Sequence, residues 1–481
     1  MDYKLLIDAF EQANDTARWP RQRILHECLR AAILDGTLAA GARLSASRAL
    51  AAELGVARNT VLYAYDQLAT EGFLQPDRRG TVVAATGGAA TASGHQLRVN
   101  LSARTQGLTA PVGALPPAGG FAPGVPALDH FPVTLWRRLL DRAWKAGHAG
   151  QLNYGDPAGE PALRAAIANH LGAARGVRCD ASQVFITGGT QHSLDICARA
   201  FADEGDTAWI EHPGYLGALA AFRAAQLRTV GIATDTEGIH PQARDWMRDP
   251  PRLIYTSPSH QYPTGSVLSL QRRLLLIVHA RTAGALIIED DYDSEFRHDG
   301  PPLSAMQGLT DDAPVLYLGT FSKTMFPALR IGYLVAPAAV AGQLRALLSR
   351  TAPQGRAAEQ LALAEFLRNG QFALHVRRMR RLYRQRRDAT VAALEKHMAA
   401  FGTVHGASAG MHLALRLHDA GIDDTRIAAQ ALERGLVAQA LSAHATGARA
   451  HGWNGFLLGY SQVPAEQADG LVRKLAALVR A

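Results

Sequence analysis

The chain of 481 residues is long for a single domain, and 48% of its residues are hydrophobic, which excludes disorder for the chain as a whole. Its three cysteines, Cys28, Cys179 and Cys197, lack the paired spacing of a zinc site or a disulfide framework. No apolar run reaches the roughly 20 residues of a membrane span, and the N-terminus lacks the apolar stretch of a signal peptide. We therefore expect a cytoplasmic protein of two or three domains with no metal site and no membrane partner.

The formal net charge of +8 is concentrated in one segment. Residues 1–86 contain ten Lys/Arg and ten Asp/Glu, whereas residues 368–387 contain eight arginines and no acid. Helical spacing places Arg377, Arg380, Arg381, Arg384 and Arg387 along one broad stripe. Two interpretations remain open for this stripe: a solvated helix face, or a surface that helps to hold DNA phosphates.

The N-terminal segment reads as short helices separated by turns. In RQRILHECLRAAILD (residues 21–35), the apolar residues share one helical face, and SASRALAAEL follows with Ser47 as the predicted N-cap. ARNTVLYAYDQLATEGF then gives an apolar stripe of Val61, Tyr65 and Leu68. Two helices joined by a glycine-containing turn predict a helix-turn-helix, in which the start of the second helix reaches the bases. FLQPDRRGTVVA predicts a β-hairpin with DRRG at its tip, the position of a wing.

This segment, from RILHECL to GTVVA, resembles the GntR-type winged helix nearly end to end. The resemblance rests on the G-x-L-x-x-G-x-R-L run, the L-G-V-x-R-x-T-V core and the closing R-x-G-T. The family commonly has Pro-Ser where this chain has Ser45-Ala46, so its second helix can start differently. The resemblance implies binding of double-stranded operator DNA by residues that we expect to be Ser47, Arg48, Arg58, Asn59, Thr60, Arg79 and Gly80.

A change of composition follows the winged helix. We expect the domain at residues 1–85, with its core at 21–85, and a flexible Ala/Gly/Pro-rich linker at 86–116. From residue 117 onward, strand-like runs such as VFITGG, TAWIEHP, RLIYTSP, ALIIEDD and VLYLGT alternate with helices. This alternation predicts an α/β domain at 117–481 with a mostly parallel central sheet and a smaller α+β lobe at about 360–481.

One lysine stands in a tightly composed turn, LGTFSKTMFPALRIGY at residues 318–333. A lysine amine with a lowered pKa, or one held against a carbonyl group, forms a Schiff base readily, and Lys323 is the candidate. A pyridoxal phosphate site also needs donors for the phosphate, a carboxylate at the pyridine nitrogen, a group on the ring face and a donor for the 3′-oxygen.

The phosphate donors have candidates in two segments. ITGGTQHSLDI (residues 186–196) is a strand that runs through two glycines into a helix, so the free N–H groups of Gly189, Thr190 and Gln191 form an anion site. Thr320 and Ser322 supply hydroxyl groups beside the lysine, and Arg330 supplies a counter-charge.

The remaining roles fall to acidic and aromatic segments. Asp290, at the end of ALIIEDD, is placed to bind the pyridine nitrogen, and Tyr292 to reach the 3′-oxygen. Tyr215 in EHPGYLG is a candidate for stacking on the ring, with His260 and Tyr262 of TSPSHQYPTG as ring-side donors. A glycine pair before a helix is usually a turn and most lysines lie on surfaces, so the prediction depends on the joint occurrence of these residues after successive strands. A Rossmann nucleotide site fits poorly because GGTQHS is not GxGxxG.

The region from about residue 118 to residue 481 resembles a fold-type I aminotransferase, through YGDPAGEPALRAAIANHL, TGGTQHSLDI, EDDYDSEF and GTFSKTMFPALRIGY. Joined to a GntR-like winged helix, it is similar to the MocR family of bacterial transcriptional regulators. SPSHQYPTG, HVRRMRRLYRQRR and GASAGMHLAL also resemble that family. The resemblance implies a head-to-tail homodimer, pyridoxal phosphate as cofactor and Lys323 as its Schiff-base residue.

The chain departs from transaminating relatives at the carboxylate clamp. Leu457 and Leu458 stand in the C-terminal strand where such enzymes carry an arginine. The GABA-sensing members carry an arginine where this chain has Gly217, and a second one near Ala443. Arg449 is the nearest alternative cation. These losses disfavour ordinary α-amino acid transamination and a GABA effector.

We therefore expect a regulator that senses a small effector through Lys323, rather than an enzyme. A half-reaction or residual transamination stays open. The effector is either pyridoxal phosphate itself or an amine, amino acid or sulfonate, and the sequence does not choose between them. Two alternatives remain: a working aminotransferase with an appended DNA-binding domain, and a regulator that has lost the cofactor and keeps the domain as a dimerisation scaffold.

Overall fold

The protein is described by a computed structural model that covers residues 1–78, 80–85, 100–105, 108, 119–147, 149–300, 303–352, 355–447 and 452–480. The chain separates into two compact units, Met1–Asn100 and Leu101–Ala481. Within the described ranges, no helix combines the length and apolar character that crossing a membrane requires.

The first unit is a helix-turn-helix followed by a hairpin. Its elements are α1 (Tyr3–Ala13), α2 (Arg21–Leu34), α3 (Ser47–Leu54), α4 (Arg58–Thr70), β1 (Leu74–Asp77) and β2 (Gly80–Val83). The predicted stripe of α4 is buried, because Val61, Tyr65 and Leu68 pack into the core of this unit. β1 and β2 pair antiparallel with Asp77 opposite Gly80, which confirms the predicted hairpin.

The start of α3 differs from the sequence prediction. Ser47 does not cap α3: Ala46 occupies the N-cap position, and no side chain makes a capping hydrogen bond there. The Ser47 hydroxyl instead accepts a 3.5 Å hydrogen bond from Arg58 Nε. The N-terminal helix α1 also belongs to this unit, because Tyr3 is buried and its hydroxyl accepts a hydrogen bond from Ser45 N.

The second unit is built on an eight-stranded sheet in the order β3-β10-β9-β8-β7-β4-β5-β6. Its strands are β3 (Val184–Thr187), β4 (Thr207–His212), β5 (Arg228–Asp235), β6 (Gly238–Ile239), β7 (Leu253–Thr256), β8 (Leu286–Asp291), β9 (Val315–Thr320) and β10 (Gly332–Val335). β5, β4, β7, β8 and β9 are parallel neighbours, while β10 runs antiparallel to both β9 and β3. β4, β7 and β9 are buried at every residue, which is why they read as apolar runs.

A second, antiparallel sheet forms the smaller lobe in the order β11-β12-β14-β13. Its strands are β11 (Gly402–His405), β12 (His412–Leu417), β13 (Gln439–Ala440) and β14 (Gly455–Gly459). The helices of this unit are α5 (Val133–Lys145), α6 (Pro161–Arg175), α7 (Thr190–Phe201), α8 (Leu216–Ala224), α9 (Ala243–Arg248), α10 (Leu270–Ala283), α11 (Ala338–Thr351), α12 (Ala357–Arg368), α13 (Gln371–Met398), α14 (Asp424–Glu433) and α15 (Ala468–Arg480).

The arginine-rich segment lies on α13, where most of its charge serves packing. The guanidinium of Arg380 donates to the Glu295 carbonyl at 2.7 and 2.9 Å. Carbonyl oxygens of other segments also accept from Arg378, Arg384, Arg386 and Arg387. Within the described part of the chain, only Arg377 and Arg381 of the predicted stripe are exposed without a partner. Most arginines of this segment therefore hold α13 against neighbouring segments of the second unit.

Candidate functional site

A cavity of about 270 Å³ lies where strands of the large sheet end. Parallel strands present their carboxyl ends at one edge, and the loops that follow β4, β7, β8 and β9 meet there. Ten residues predicted from the sequence line this cavity: Thr190, Gln191, Tyr215, Tyr262, Asp290, Tyr292, Thr320, Ser322, Lys323 and Arg330. The structure thus brings residues from several separate turns together at one cavity.

Lys323 follows β9 and points its amine into the cavity. Its Nζ donates a 2.7 Å hydrogen bond to the Gly124 carbonyl oxygen. Burial lowers the pKa of this amine, while the carboxylates of Asp293 and Asp290 act in the opposite direction. A lowered pKa leaves more of the amine uncharged, which is the form that attacks a carbonyl carbon.

Asp290 lies in the buried end of β8 and is 4% exposed. Its Oδ2 accepts a 2.7 Å hydrogen bond from the Tyr255 hydroxyl, whereas its Oδ1 has no partner among the described residues. Burial raises the pKa of Asp290 to about 7, and the neighbouring Asp291 adds to the shift. The site thus contains a carboxyl group with one unused oxygen that is ready to bind a cationic or N–H donor.

The anion end of the cavity is formed by Gly189, Thr190, Thr320, Ser322 and Arg330. Gly189 precedes the first turn of α7 with φ 101°, and a Cβ there would come within 3.6 Å of Arg330 Nη1. The hydroxyls of Thr320 and Ser322 are 3.1 Å apart. Within the described ranges, the Arg330 guanidinium has no hydrogen-bond or ion-pair partner. Free N–H groups, hydroxyls and an unpaired cation together form a phosphate-binding arrangement.

Tyr215 covers the cavity from the loop after β4, and a glycine allows its position. A Cβ at Gly217 would lie 2.3 Å from Cζ and 2.5 Å from the hydroxyl oxygen of Tyr215. Any side chain at position 217 would therefore displace the phenol ring. An arginine at position 217 is therefore incompatible with this position of the Tyr215 ring.

His260 was predicted to bind at the ring and is not part of the cavity wall. Its imidazole lies behind the wall, 3.1 Å from Asp293 Oδ2 and with its centroid 4.4 Å from that of His412. Atoms of these three buried side chains lie within 4.8 Å of one another. Tyr292 lines the cavity, but its hydroxyl donates at 2.7 Å to the His260 carbonyl. His260 therefore supports Tyr292 and Asp293 from behind.

Tyr262, the other residue predicted as a ring-side donor, does line the cavity. Its ring contacts those of Tyr215 at 5.8 Å and His412 at 5.5 Å between centroids, and its hydroxyl lies 3.4 Å from Gln439 Oε1. These side chains, Tyr215, Tyr262, Tyr292, His412 and Gln439, form what we call the aromatic end of the cavity.

A buried glutamate that the sequence prediction missed fixes the loop carrying Tyr262. Glu211, in β4, accepts hydrogen bonds from the hydroxyls of Thr256 at 2.6 Å and Ser257 at 2.9 Å. Ser257 Oγ in turn accepts from Tyr262 N at 3.2 Å. Burial raises the pKa of Glu211 to about 7 although these hydrogen bonds oppose the shift. An acid inside the apolar run TAWIEHP is the only local signal of this role.

The positions expected to lack a carboxylate clamp are apolar in the structure. Leu457 and Leu458 of β14 are fully buried, and Leu457 packs with Ala414, Leu441 and Trp453. Ala443 belongs to a short 3-10 turn over Leu441–His444. Arg449, the alternative cation, lies outside the described residues.

The candidate DNA interface is the first turn of α4. Arg58 and Asn59 are exposed and Thr60 is half-buried, while Arg48 of α3 is also exposed. Gly80, at the tip of the hairpin, has φ 137°. Arg79 lies outside the described residues. Of the predicted DNA-binding residues, Arg48, Arg58 and Asn59 are therefore accessible to solvent, and their contact with DNA stays a prediction.

Comparison with known proteins relates both units to established families. The family described as aminotransferase class I and II matches residues 121–453, and the bacterial regulatory proteins of the gntR family match residues 22–83. A probable rhizopine catabolism regulatory protein MocR of Rhizobium meliloti is 40% identical over 411 residues, with 82% of each chain covered. The pyridoxine biosynthesis transcriptional regulator PdxR of Corynebacterium glutamicum is 36% identical, with 76% of each chain covered.

The solved structures that the second unit resembles are aminotransferases. One is LysN, an α-aminoadipate aminotransferase from Thermus thermophilus, in complex with N-(5′-phosphopyridoxyl)-L-leucine. It superposes with a TM-score of 0.69 at 27% identity and covers 76% of this chain and 92% of its own. The chain belongs to the MocR-type family of transcriptional regulators, in which a GntR-type helix-turn-helix precedes an aminotransferase domain of the pyridoxal phosphate-dependent fold.

Proposed function

We propose that this protein is a transcriptional regulator that binds double-stranded DNA through its first unit and pyridoxal phosphate through its second. In this proposal, Lys323 is the residue through which a small effector is sensed. The observation that carries the proposal is the convergence of a buried amine, a buried carboxyl group and an anion end on one cavity, in a chain that begins with a helix-turn-helix.

The residues present fit the cofactor. The unpartnered Oδ1 of the buried Asp290 suits the pyridine nitrogen, which carries a proton when it faces a carboxylate. The unpaired guanidinium of Arg330 and the helix start at Gly189 suit the phosphate. Tyr215 lies over the cavity, where a ring face can stack on it.

Each side chain then has a defined task. When bound, pyridoxal phosphate supplies an aldehyde carbon that reacts with primary amines. Burial lowers the pKa of the Lys323 amine, which increases its uncharged fraction, and the Gly124 carbonyl accepts a hydrogen bond from that amine. Asp290 binds the proton at the ring nitrogen, and Tyr255 fixes the Asp290 carboxyl group. The residues of the anion end would hold the phosphate through their N–H groups, hydroxyls and the Arg330 guanidinium.

The first unit is proposed to contact an operator with the start of α4 in the major groove. Arg58 and Asn59 are exposed there and reach base edges or phosphates, and Ser47 orients Arg58 through its hydroxyl. Arg48 and Thr60 add contacts beside them, and Gly80 allows the hairpin to approach the backbone closely. This role implies a cytoplasmic protein.

We further propose a head-to-tail homodimer whose two winged helices read two half-sites. The second unit leaves large apolar side chains exposed: Trp144 at 60%, Leu152 at 79% and Tyr154 at 87%. Such residues in one segment are typical of a protein interface. The effector then acts by binding one arrangement of the dimer better than another.

A working aminotransferase is a second candidate function. It is favoured by the completeness of the Lys323, Asp290 and Arg330 set, and by a likeness of 27% identity to an aromatic-amino-acid aminotransferase of Thermococcus litoralis. Sustained turnover of an amino donor with an oxoacid would establish it, whereas a single conversion per bound cofactor would not.

The deciding experiment follows the visible absorbance of the purified protein with added pyridoxal phosphate, together with its binding to duplexes selected from a random pool. We expect a band that persists after dialysis in the wild type and in Lys396→Ala, a variant of a largely exposed lysine. Lys323→Ala is expected to lose the persistent band while still binding the selected duplexes. A persistent band in Lys323→Ala, or no selected duplex for the wild type, would refute the proposal.

A further inference from the structure

The two ends of the cavity differ in charge, and this difference constrains the effector. Among the described lining residues, the only cations are Lys323 and Arg330. In the proposed function Arg330 is committed to the phosphate. Lys323 is bonded to the aldehyde until an effector amine replaces it, and the released amine then faces the carboxylates of Asp290 and Asp293. The aromatic end therefore has no cation of its own to offer an effector.

The groups that remain near the effector position are uncharged or acidic. Burial and the neighbouring His260 hold the pKa of His412 well below its usual range, so its imidazole is neutral. Asp293 lines the cavity and is 1% exposed. A carboxylate placed here would be desolvated beside another carboxylate, and the described lining residues offer it no cation beyond Lys323 and Arg330, which is unfavourable.

Apolar side chains of the small lobe lie behind the aromatic end of the cavity. Gln439 in β13 stands directly opposite Leu457 in β14. Leu457 is fully buried against Ala414 and Leu441, and Tyr262 packs against the same cluster. The strand pairing therefore backs the aromatic end with an apolar layer.

What the aromatic end does offer is neutral hydrogen bonding. The Gln439 amide nitrogen donates to no other described residue, while its Oε1 lies near the Tyr262 hydroxyl. The phenol of Tyr215 also faces the cavity, and Gly217 leaves it room. Hydroxyl and amide groups of this kind match hydroxyls on a ligand, and a site built for a hydroxyl discriminates strongly against ligands that cannot pair with it.

We infer that the effector is a small primary amine whose other polar groups are neutral hydroxyls, and that it carries no carboxylate. This inference rests on the proposed function, since it takes Arg330 to be occupied by the cofactor and the charge of a released Lys323 to be balanced by Asp290 and Asp293. It narrows the open set of amines, amino acids and sulfonates to amino alcohols and related polyols.

A matched pair of probes tests it. Serinol (2-amino-1,3-propanediol) and serine differ only in that a hydroxymethyl group of serinol replaces the carboxylate of serine. Each is titrated into the holo-protein while the visible absorbance and the melting temperature are followed. We expect serinol to change the absorbance and the melting temperature at a concentration at least tenfold lower than serine does. Equal or tighter action of serine, or no response to either probe, would overturn the inference.

Variants of the aromatic end sharpen the result. Gln439→Leu is expected to reduce the preference for serinol at least fivefold, because the neutral hydrogen bonds are lost. Gln439→Arg is expected to reverse the preference, because it supplies the missing cation. Arg449→Ala is measured in parallel, and a preference for serine that depends on Arg449 would contradict the inference.

The outcomes separate the two proposals. If the holo-protein shows the persistent band and Lys323→Ala removes it, the proposed function stands whichever probe is preferred. If the band never forms, the proposed function fails before the probes are compared, and the inference fails with it.

Discussion

Helices α4 and α7 both begin where the proposed function requires a phosphate, yet their first turns are built differently. Both offer free N–H groups and the positive end of a helix dipole. On α4, Arg58 and Asn59 are exposed to solvent. On α7, Gly189 contributes no side chain, and the cation Arg330 comes from another part of the chain. Gln191 and Arg330 are exposed as well, but they border a cavity, which suits one small anion, whereas the open start of α4 suits a long polymer.

The comparison shows how the residues around a helix start change the way its free N–H groups bind an anion. Solvent screens the charges on α4, so binding there depends on salt and on side chains that reach base edges. At α7 the guanidinium of Arg330 is also exposed, but it borders the same cavity as Thr190, Thr320 and Ser322, so several donors face one small space. Because donors at α7 converge on one small anion, whereas contacts along DNA are spread over many phosphates, we expect a substitution at α7 to cost more binding energy than one at α4.

The largest loss of binding affinity is expected for Arg330→Ala, in the binding of pyridoxal phosphate. Loss of a charge-assisted hydrogen bond of roughly 2–3 kcal/mol corresponds to a 30- to 150-fold weaker affinity for pyridoxal phosphate. The measurement is a titration of the apo-protein followed by absorbance. Arg199→Ala, which removes an exposed arginine paired with Asp195 on α7, is the matched control. Comparable losses in the two variants would mean that Arg330 acts only through the general charge of the unit.

Asp290→Asn tests the burial of the α7 site through pH. The pKa of Asp290 is raised to about 7 in the folded protein, whereas an unfolded aspartate titrates near 3.9. Between these values the folded state keeps a proton that the unfolded state releases, so stability falls as pH rises, by roughly 1.4 kcal/mol per unit. Below about pH 4 and above about pH 7 this contribution no longer changes.

The comparison for that prediction is the stability of wild-type and Asp290→Asn apo-protein in urea at pH 5, 6 and 7. Asparagine does not titrate and its carbonyl still accepts the Tyr255 hydrogen bond, so the advantage of the wild type should shrink as pH rises. Asp66→Asn on α4 controls for the loss of an exposed acid. Parallel curves for wild type and Asp290→Asn would show that Asp290 is already ionised throughout this range.

A smaller effect is expected for Arg58→Ala at the open helix start. Affinity for the selected duplex should fall about tenfold, and the dependence on salt should weaken by about one unit of slope if Arg58 contacts a phosphate. Arg18→Ala removes an exposed arginine outside α4 in the same unit and is the control. An equal loss of duplex affinity in Arg18→Ala would show that the effect comes from net charge. The start of α4 would then have no specific role in DNA binding.

The sequence located the strands and their ends well because each signal is local. Buried parallel strands read as apolar runs, and the turns after them carry the polar residues, so Lys323 and Asp290 could be placed correctly. The supporting contacts could not be placed in this way. Glu211 binds Ser257 across 46 positions, and Arg380 binds a carbonyl of Glu295 across 85. His260 and Tyr262 are two residues apart in one turn, and only tertiary packing decides which of them faces the cavity.

The smallest prediction concerns helix starts in the first unit, where the expected cap at Ser47 was wrong. Ser47 lies inside α3 and makes no capping hydrogen bond, whereas Asp2 caps α1 by accepting from Leu5 N at 3.0 Å. Asp2→Ala should therefore lower the free energy of unfolding by about 1 kcal/mol, while Ser47→Ala should change it by less than about 0.5 kcal/mol. Urea denaturation of both variants measures this. Because Ser47 also accepts from Arg58 Nε, Ser47→Ala should weaken DNA binding about two- to threefold without loss of stability, at the scale of a weak exposed hydrogen bond. A destabilisation by Ser47→Ala equal to that of Asp2→Ala would restore Ser47 as a cap.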